Sequence, residues 1–192
     1  GALVDRLGRG KIFNNGLLQN FKPEENEIVS EMQLAIMSLA KRRVGALIVI
    51  ERQTALNDII ETGTIINTDI SAQMIGTIFY EGTPLHDGAV IVRGDRLYAA
   101  GCVLPLTQNK DLNKELGTRH RAGIGITENS DALVIIVSEE TGVISIAQNG
   151  KLTRFLDGKK IEKTLLNLYL EEEVKVPFTE RLRRLLKGGQ RC

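Results

Sequence analysis

Ala46-Leu47-Ile48-Val49-Ile50 is an unbroken run of apolar residues in the first half of the chain. A strand that is covered on both faces has this pattern, because neither set of side chains meets water. Apolar residues at helical spacing precede the run between positions 28 and 39, and others follow it between positions 71 and 80. A buried strand between two amphipathic helices is typical of an α/β domain.

The second half of the chain alternates short apolar segments with turn residues, which predicts antiparallel hairpins. Gly94-Asp95 and Asn149-Gly150 are turn dipeptides of the kind that two-residue hairpin loops prefer. Strands are predicted at 89–92, 97–104, 132–137, 143–147 and 152–155, and further helices at 55–61, 118–126 and 161–169. We therefore predict one α/β domain with a mixed-strand central sheet and helices packed around it.

Composition supports a single globular domain. The 192 residues are 42% hydrophobic and 26% charged, which is enough apolar material for a core. A formal net charge of +1 gives no support for broad binding to nucleic acid or to a membrane surface. We assign residues 1–22 to a leading arm, residues 23–172 to the folded domain, and residues 173–192 to a polar, basic tail.

Cysteine use and hydropathy indicate where the chain resides. Cys102 and Cys192 form neither a disulfide framework nor a metal-binding pattern, so a reducing, cytoplasmic compartment is expected. No apolar run approaches the roughly 20 residues that a membrane span requires. Gly1-Ala2-Leu3 is not a natural start, and we expect a truncated chain.

The common phosphate-binding motifs are absent from the sequence. No Gly-x-Gly-x-x-Gly follows the first strand, and no Gly-x-x-x-x-Gly-Lys-Ser/Thr occurs anywhere. A nucleotide enzyme with this sequence must hold its phosphates in another way.

The stretch Leu85–Ala89 places an acid and a glycine at the entrance of a predicted strand. Asp87 can bind a divalent metal there or accept a proton from a hydroxyl, and His86 is a possible second metal ligand. Gly88 lets a ligand approach the backbone closely, because it has no Cβ. An Asp-Gly turn before a strand is also common without any function, so this stretch alone leaves both interpretations open.

The stretch Gly117–Arg121 predicts a helix start that can bind an anion. Thr118 is a suitable N-cap, and the first N–H groups of a helix are free to face a ligand. Arg119, His120 and Arg121 add donors that suit a phosphate. Neighbours on a helix do not share a face, so the three cannot contact one phosphate equally. A charged helix start on the surface is the alternative interpretation.

Two other places are weaker candidates. Ser138 could donate a hydrogen bond to a phosphate and Glu139 could help to hold a metal, although a hairpin turn explains both residues equally well. The stretch 101–106 is predicted to be mostly core, and the backbone near Leu104 could contact an adenine base.

Asp87-Gly88-Ala89 and Arg119-His120-Arg121, about thirty residues apart, resemble the paired signature motifs of the diadenylate cyclase domain family. Each tripeptide alone carries little information, but the two in this order and context are specific. The resemblance extends from about Asn26 to about Asp157. The arm around Leu7–Gly10 resembles the segment that joins this domain to a membrane part in CdaA-type bacterial members.

The resemblance implies a role for each candidate residue. Asp87 would bind the metal, with His86 as a second ligand, and would help to activate a ribose 3′-hydroxyl. The triphosphate or the leaving pyrophosphate would be bound by Thr118, Arg119, His120 and Arg121. The remaining substrate contacts implied are those of Gly88 and Ala89 with ribose and base, of Leu104 with adenine, and of Ser138 and Glu139 on the phosphate and metal side.

The resemblance also implies a reaction and its partners. Two ATP molecules would be joined into cyclic di-AMP, with release of two pyrophosphates, at the interface of a face-to-face homodimer. The metal would be Mg²⁺ or Mn²⁺. The domain would lie in the cytoplasm, and the full-length protein would be anchored in the membrane through a segment that this chain lacks.

Two other function classes remain at this point. A nucleotide-binding sensor would need the phosphate contacts but would not need Asp87. A pure interaction domain would use both motifs structurally, and ATP would not stabilise it. A saturating ligand adds about 2.7 kcal/mol at one hundred times its dissociation constant, so a thermal shift separates the last class.

Overall fold

The computed structural model describes residues 23–175, so the predicted arm 1–22 and the tail from residue 176 onward lie outside the described part. The helices are α1 (Pro23–Arg42), α2 (Asn57–Ile60), α3 (Ala72–Ile78), α4 (Thr118–Glu128) and α5 (Gly158–Lys175). The strands are β1 (Ala46–Ile50), β2 (Thr64–Asp69), β3 (Ala89–Arg93), β4 (Arg96–Cys102), β5 (Leu133–Val137), β6 (Ile144–Gln148) and β7 (Lys151–Thr153). The boundary predicted at residue 172 falls inside α5.

The strands form one seven-stranded sheet in the order β2-β4-β3-β1-β5-β6-β7. β1 pairs in parallel with β3, and the other neighbouring pairs are antiparallel. The predicted mixed sheet is therefore confirmed. A crossover through α2, β2 and α3 makes the single parallel pair possible, because parallel strands cannot be joined by a tight turn.

Both faces of the sheet are covered, as the apolar run at residues 46–50 predicts. All five residues of β1 are buried. Ala46, Ile48 and Ile50 face a core formed with α1, α3 and α5, whereas Leu47 and Val49 face a second core formed with α2 and α4. The alternation follows from the period of two along a strand.

Local sequence signals account for the turns and for one helix start. Asn149 and Gly150 have φ of 51° and 72°, which is the backbone that the predicted two-residue hairpin loop requires. Gly94 also has positive φ in the β3–β4 turn. The Ser71 hydroxyl accepts a hydrogen bond from the Met74 N–H and caps α3, as predicted.

Strand β2 was missed by the sequence analysis. Its sequence, Thr-Ile-Ile-Asn-Thr-Asp, does not alternate, and no residue in it is buried. A register shift between Ile65 and Thr68, with positive φ at Asn67, breaks its pairing with β4. Edge strands with one exposed side need little hydrophobic pattern, so the chain gives no signal there.

A helix that spans a membrane needs about 20 consecutive, mostly apolar residues. Within residues 23–175, no helix is long and apolar enough to cross a bilayer.

Candidate functional site

Four strand ends meet at one edge of the sheet, which we call the site edge and define by Gly45, Gly88, Val103 and Ser138. β1 and β3 are parallel, so both begin at this edge. β5 and β4 run antiparallel to them, and Val137 and Cys102, at their ends, pair with the first residues of β1 and β3. The topology thus brings the two predicted motifs to the same edge although they are distant in sequence.

Asp87 is exposed at the site edge, immediately before β3. Within the described part of the chain its carboxylate has no hydrogen-bond or ion-pair partner. A carboxylate without an internal partner is available to a ligand, a metal or a proton donor. Its backbone is fixed nonetheless, because Gly88 follows with φ of 123°.

Gly88 is required by its close approach to β4. A Cβ at this position would lie 2.7 Å from the Gly101 carbonyl carbon and 2.8 Å from the Cys102 oxygen. The sequence analysis expected a ligand to approach the Gly88 backbone closely. In the structure it is the neighbouring strand β4 that makes this close approach. Ala89 is fully buried in β3, so a substrate contact by Ala89 would have to use its backbone.

His86 is half-buried, and its ring is oriented by the turn that contains it. Its Nδ1 lies 2.5 Å from the Thr83 carbonyl oxygen, which can only accept a hydrogen bond. Nδ1 therefore carries the proton in the neutral ring, and the lone pair is on Nε2. This tautomer suits a metal ligand, because backbone carbonyls commonly fix ligating histidines in this way.

A carboxylate and an imidazole side by side fit a divalent metal with mixed ligands. Such a donor set favours Mn²⁺ over Mg²⁺, which prefers oxygen ligands alone. In residues 23–175 there is no group of three or more His, Cys, Asp or Glu side chains that could hold a metal. A metal bound by Asp87 and His86 would need further ligands from phosphate oxygens or water.

Helix α4 begins at the site edge, but its cap differs from the prediction. Gly117 is the N-cap residue, and Thr118 is the first residue of the helix and is exposed. No side chain caps the first turn. The early N–H groups are therefore left for water or an anion, which is the arrangement of a helix N-terminus that binds phosphate.

Arg119 and Glu139 are brought together at the site edge. Arg119 Nη1 lies 2.8 Å from Glu139 Oε2, and the side chains are 25% and 62% exposed. The pair lies over Gly45, where a Cβ would come within 2.6 Å of Arg119 Nη1. Gly45 was missed by the sequence analysis, because its role depends on two partners distant in sequence. The ion pair preorders the guanidinium near the start of α4.

His120 and Arg121 do not take part in that ion pair. The His120 side chain is only 5% exposed and lies in the protein interior. Burial, together with the nearby charge of Arg154, lowers the pKa of His120, so its ring is neutral at pH 7. Arg121 is half-buried, and its carbonyl oxygen accepts a hydrogen bond from the Thr107 N–H. The expectation that the three neighbours play unequal roles agrees with these positions.

Ser138 lies at the end of β5, in the turn that leads to β6. Its hydroxyl accepts a hydrogen bond from the Thr141 N–H at 3.3 Å, and its own N–H donates to the Val143 oxygen. The hairpin turn is therefore confirmed. The hydroxyl proton is still free to be donated, so a contact of Ser138 with a phosphate stays a prediction.

The stretch 101–106 was predicted to be mostly core, and this is wrong. Val103 is 65% exposed and Leu106 is 46% exposed, whereas Cys102 and Leu104 are buried. β4 ends at Cys102, and beyond it the chain leaves the sheet at the site edge. Burial raises the pKa of the Cys102 thiol to about 11, so this cysteine is inert at neutral pH.

Glycines in α4 let the helix pack closely on both sides. A Cβ at Gly123 would lie 2.9 Å from Ile136 Cδ1, and one at Gly125 would lie 2.2 Å from the Pro105 oxygen. The tight packing that the sequence analysis expected is present. The start of α4 is thereby held against β5 and against the segment that carries Leu104.

A family model described as the DisA bacterial checkpoint controller nucleotide-binding (DAC) domain matches residues 33–152. The chain belongs to this family. The match covers both motifs and all seven strands except the last residue of β7. The site edge is therefore the part of the DAC domain where its two motifs meet.

Curated relatives of this DAC domain are bacterial. Cyclic di-AMP synthase CdaA of Bacillus subtilis is 44% identical over 162 residues, which are 84% of this chain and 59% of the relative. A diadenylate cyclase of Listeria monocytogenes is 42% identical over 174 residues, which are 91% of this chain and 63% of the relative. The chain thus spans about three fifths of the length of these relatives.

Solved structures share the fold. DacA from Staphylococcus aureus, as a double mutant, is 43% identical and superposes with a TM-score of 0.76, covering 77% of this chain and 99% of that one. A hypothetical membrane spanning protein from Bacillus cereus, also 43% identical, gives a TM-score of 0.65 over 76% of this chain and 69% of that one. The single mixed α/β domain is therefore the architecture of the family.

Proposed function

We propose that this DAC domain is a diadenylate cyclase, which condenses two ATP molecules into cyclic di-AMP and releases two pyrophosphates. The observation that carries the proposal is the carboxylate of Asp87, which is exposed and has no partner within residues 23–175, at the same sheet edge as the Arg119–Glu139 pair. The names of the Bacillus and Listeria relatives support the same reaction.

The chemistry is two phosphoryl transfers of the same kind. In each, the ribose 3′-oxygen of one ATP forms a bond to the α-phosphorus of the other, and the bond from that phosphorus to the pyrophosphate oxygen breaks. We assign to Asp87 the uptake of the hydroxyl proton, and the proton leaves with water or with pyrophosphate. Positioning and charge stabilisation carry most of such a reaction.

Charged groups at the start of α4 are assigned to the phosphates. The uncapped N–H groups near Thr118 and the guanidinium of Arg119 can bind the triphosphate and stabilise the leaving pyrophosphate. Arg121 is assigned the same role from the other side of the helix. Ser138 is assigned to the phosphates as a hydrogen-bond donor, and Glu139, which pairs with Arg119, is assigned to the phosphate and metal side.

Asp87 and His86 are the residues that would hold Mg²⁺ or Mn²⁺. A divalent ion there would neutralise the charge that develops on the phosphate oxygens. Leu104, buried beside the end of β4, is assigned to the adenine side, with the backbone of Gly88 and Ala89 towards the ribose.

A homodimer is part of the proposal. The product has two-fold symmetry. Each chain contributes one Asp87 and one α4, so two chains that face each other provide the residues for both phosphoryl transfers. Because Asp87 is exposed at a sheet edge, a second ATP on a partner could reach it. We further propose that the domain lies in the cytoplasm and that the full-length protein is anchored in the membrane, as the Bacillus cereus structure's description suggests.

The test is product analysis with matched aspartate variants. The chain is incubated with ATP and either Mn²⁺ or Mg²⁺, and nucleotides are identified by chromatography and mass spectrometry. Asp87→Asn should form no cyclic di-AMP, whereas Asp95→Asn, in the exposed β3–β4 turn, should match the parent. ATP binding without product from the parent, with either metal and at high protein concentration, would instead favour the nucleotide sensor.

A further inference from the structure

Three buried polar atoms lie beneath the first turns of α4. His120 Nε2, Ser145 Oγ and Arg154 Nε are each shielded from solvent, and none has a hydrogen-bond partner among residues 23–175. Ser145 is fully buried in β6, and His120 is nineteen-twentieths buried. Buried polar atoms are rarely left without a hydrogen bond. Three such atoms near one helix start indicate a hydrogen-bond network, which a small side-chain adjustment or one bound water would complete.

Strand register places Ser145 beside Arg154. Ile146 pairs with Thr153 at the end of the β6–β7 ladder, and Ser145 and Arg154 are the next residues of the two segments beyond this pair. Directly paired residues in an antiparallel ladder project from the same face. Ser145 also pairs with Ile136 of β5, and a Cβ on Gly123 of α4 would touch Ile136. Ser145 and Arg154 therefore face α4.

His120 lies on the same face of α4 as Gly123. It precedes Gly123 by three residues, and side chains three apart share one side of a helix. The charge of Arg154 acts on the imidazole of His120. The two side chains are therefore neighbours under the helix start.

Donor and acceptor types match within this cluster. A neutral imidazole with its proton on Nδ1 has a lone pair on Nε2, and the Arg154 guanidinium offers only donors. Ser145 can donate to one group and accept from the other. Within residues 23–175 Arg154 has no carboxylate partner, so no ion pair competes for it.

We propose that His120, Ser145 and Arg154 form a buried polar network that fastens the first turn of α4 to the β6–β7 hairpin and so positions Arg119 and Arg121. The three are positioning residues, and they do not contact substrate. The role in turnover rests on the proposed cyclase function. Arg119 and Arg121 flank His120 in sequence. Holding the His120 ring in place therefore also holds the backbone from which both neighbouring side chains project.

The kinetic test compares single and double variants of the full chain. Arg154→Met and His120→Leu should each lower kcat for cyclic di-AMP formation by about tenfold or more, because small displacements of positioning groups are costly. The double variant should lose no more than the worse single variant, since members of one network do not act independently. His120→Gln should retain more activity than His120→Leu, because its amide oxygen offers an acceptor near the place of Nε2.

Arg52→Met is the matched control. Arg52 is largely buried, pairs with Glu171, and follows the end of β1 that is remote from the site edge. It should lower stability without lowering kcat. The network would be overturned if the losses in kcat of the two single variants multiplied in the double variant. It would also be overturned if each single variant had a kcat within about twofold of that of the parent.

A spectroscopic test needs no ATP. The chain has 2 histidines, so ¹⁵N spectra of the imidazoles resolve both tautomers once His86→Asn assigns the signals. The network requires His120 Nε2 to be unprotonated, with a shift that changes in Arg154→Met and in Ser145→Ala. A proton on Nε2, or spectra insensitive to both variants, would refute the network even if the cyclase is active. If the spectra are as expected but the parent forms no cyclic di-AMP, the network is supported and only the cyclase proposal is overturned.

Discussion

The two motifs at the site edge are prepared for ligands in opposite ways. Around Asp87 the backbone is fixed by a glycine with positive φ, and the carboxylate is exposed and has no hydrogen-bond or ion-pair partner among residues 23–175. At the start of α4 the side chains are already engaged, since Arg119 pairs with Glu139 and His120 is buried. The first motif offers a reactive group on a rigid turn, whereas the second offers a preassembled set of charges. Loss of the Asp87 carboxylate should therefore act on turnover with little cost in stability, whereas the side chains of the second motif should also contribute to binding and folding.

The largest expected effect is that of Asp87→Asn on turnover. If Asp87 has the proposed roles of proton acceptor and metal ligand, its loss should lower kcat by about 10²- to 10⁴-fold. The free energy of unfolding should stay within about 0.5 kcal/mol, because the carboxylate has no internal partner to lose. Single-turnover kinetics and urea denaturation measure the two quantities. A large loss of stability would show that Asp87 is part of the scaffold.

Glycine-to-alanine variants compare how tightly the backbone of each motif is constrained. Gly88→Ala should lower the free energy of unfolding by about 2 to 4 kcal/mol, because it adds strain at positive φ and a clash with Gly101. Gly117→Ala should cost under about 1 kcal/mol, since a Cβ there meets nothing within 4 Å. Urea denaturation of both variants makes the comparison. Equal costs would mean that the turn before β3 relaxes.

The buried His120 should make folding stability depend on pH. Burial, with Arg154, lowers its pKa in the folded state, so below about pH 6.5 the unfolded chain binds a proton that the folded chain does not. Stability should therefore be complete above pH 6.5 and fall as the pH drops towards the folded pKa, by at most about 1.4 kcal/mol per pH unit. Urea midpoints between pH 5 and 8 test this, and His120→Gln should remove that share of the slope.

The smallest effect is expected for Glu139→Gln. An exposed ion pair contributes about 0 to 1 kcal/mol, so the unfolding free energy should hardly change. The KM for ATP should change less than in Arg119→Met, which removes the charge that is proposed to bind phosphate. Steady-state kinetics at two salt concentrations measure this difference. If Glu139→Gln were the more damaging variant, Glu139 would contact substrate or metal directly.

Much of the fold could be predicted from the sequence because its signals are local. The apolar run of β1, the turn dipeptides and the Ser71 cap each act within a few residues, and the structure confirms all of them. β2 was missed because an exposed edge strand needs no buried face. The mixed order of the strands follows from pairing between distant segments, which no local pattern encodes.

The candidate site was predicted less completely, for the same reason. Asp87 and Arg119 were found through motifs that are continuous in sequence. Gly45, Ser145 and Arg154 went unnoticed, because each becomes informative only when cross-strand register or helix packing brings partners beside it. The burial of His120 depends likewise on which face of α4 meets the sheet.

The hairpin turn at Gly94-Asp95 has a practical consequence for assays of this domain. β3 runs from the site edge to this turn, so the turn lies about 17 Å from Asp87, the length of a five-residue strand. Both turn residues are exposed. Exposed turn tips tolerate insertions well. A fluorescent reporter spliced between Gly94 and Asp95 would therefore label the domain at a position remote from the site edge.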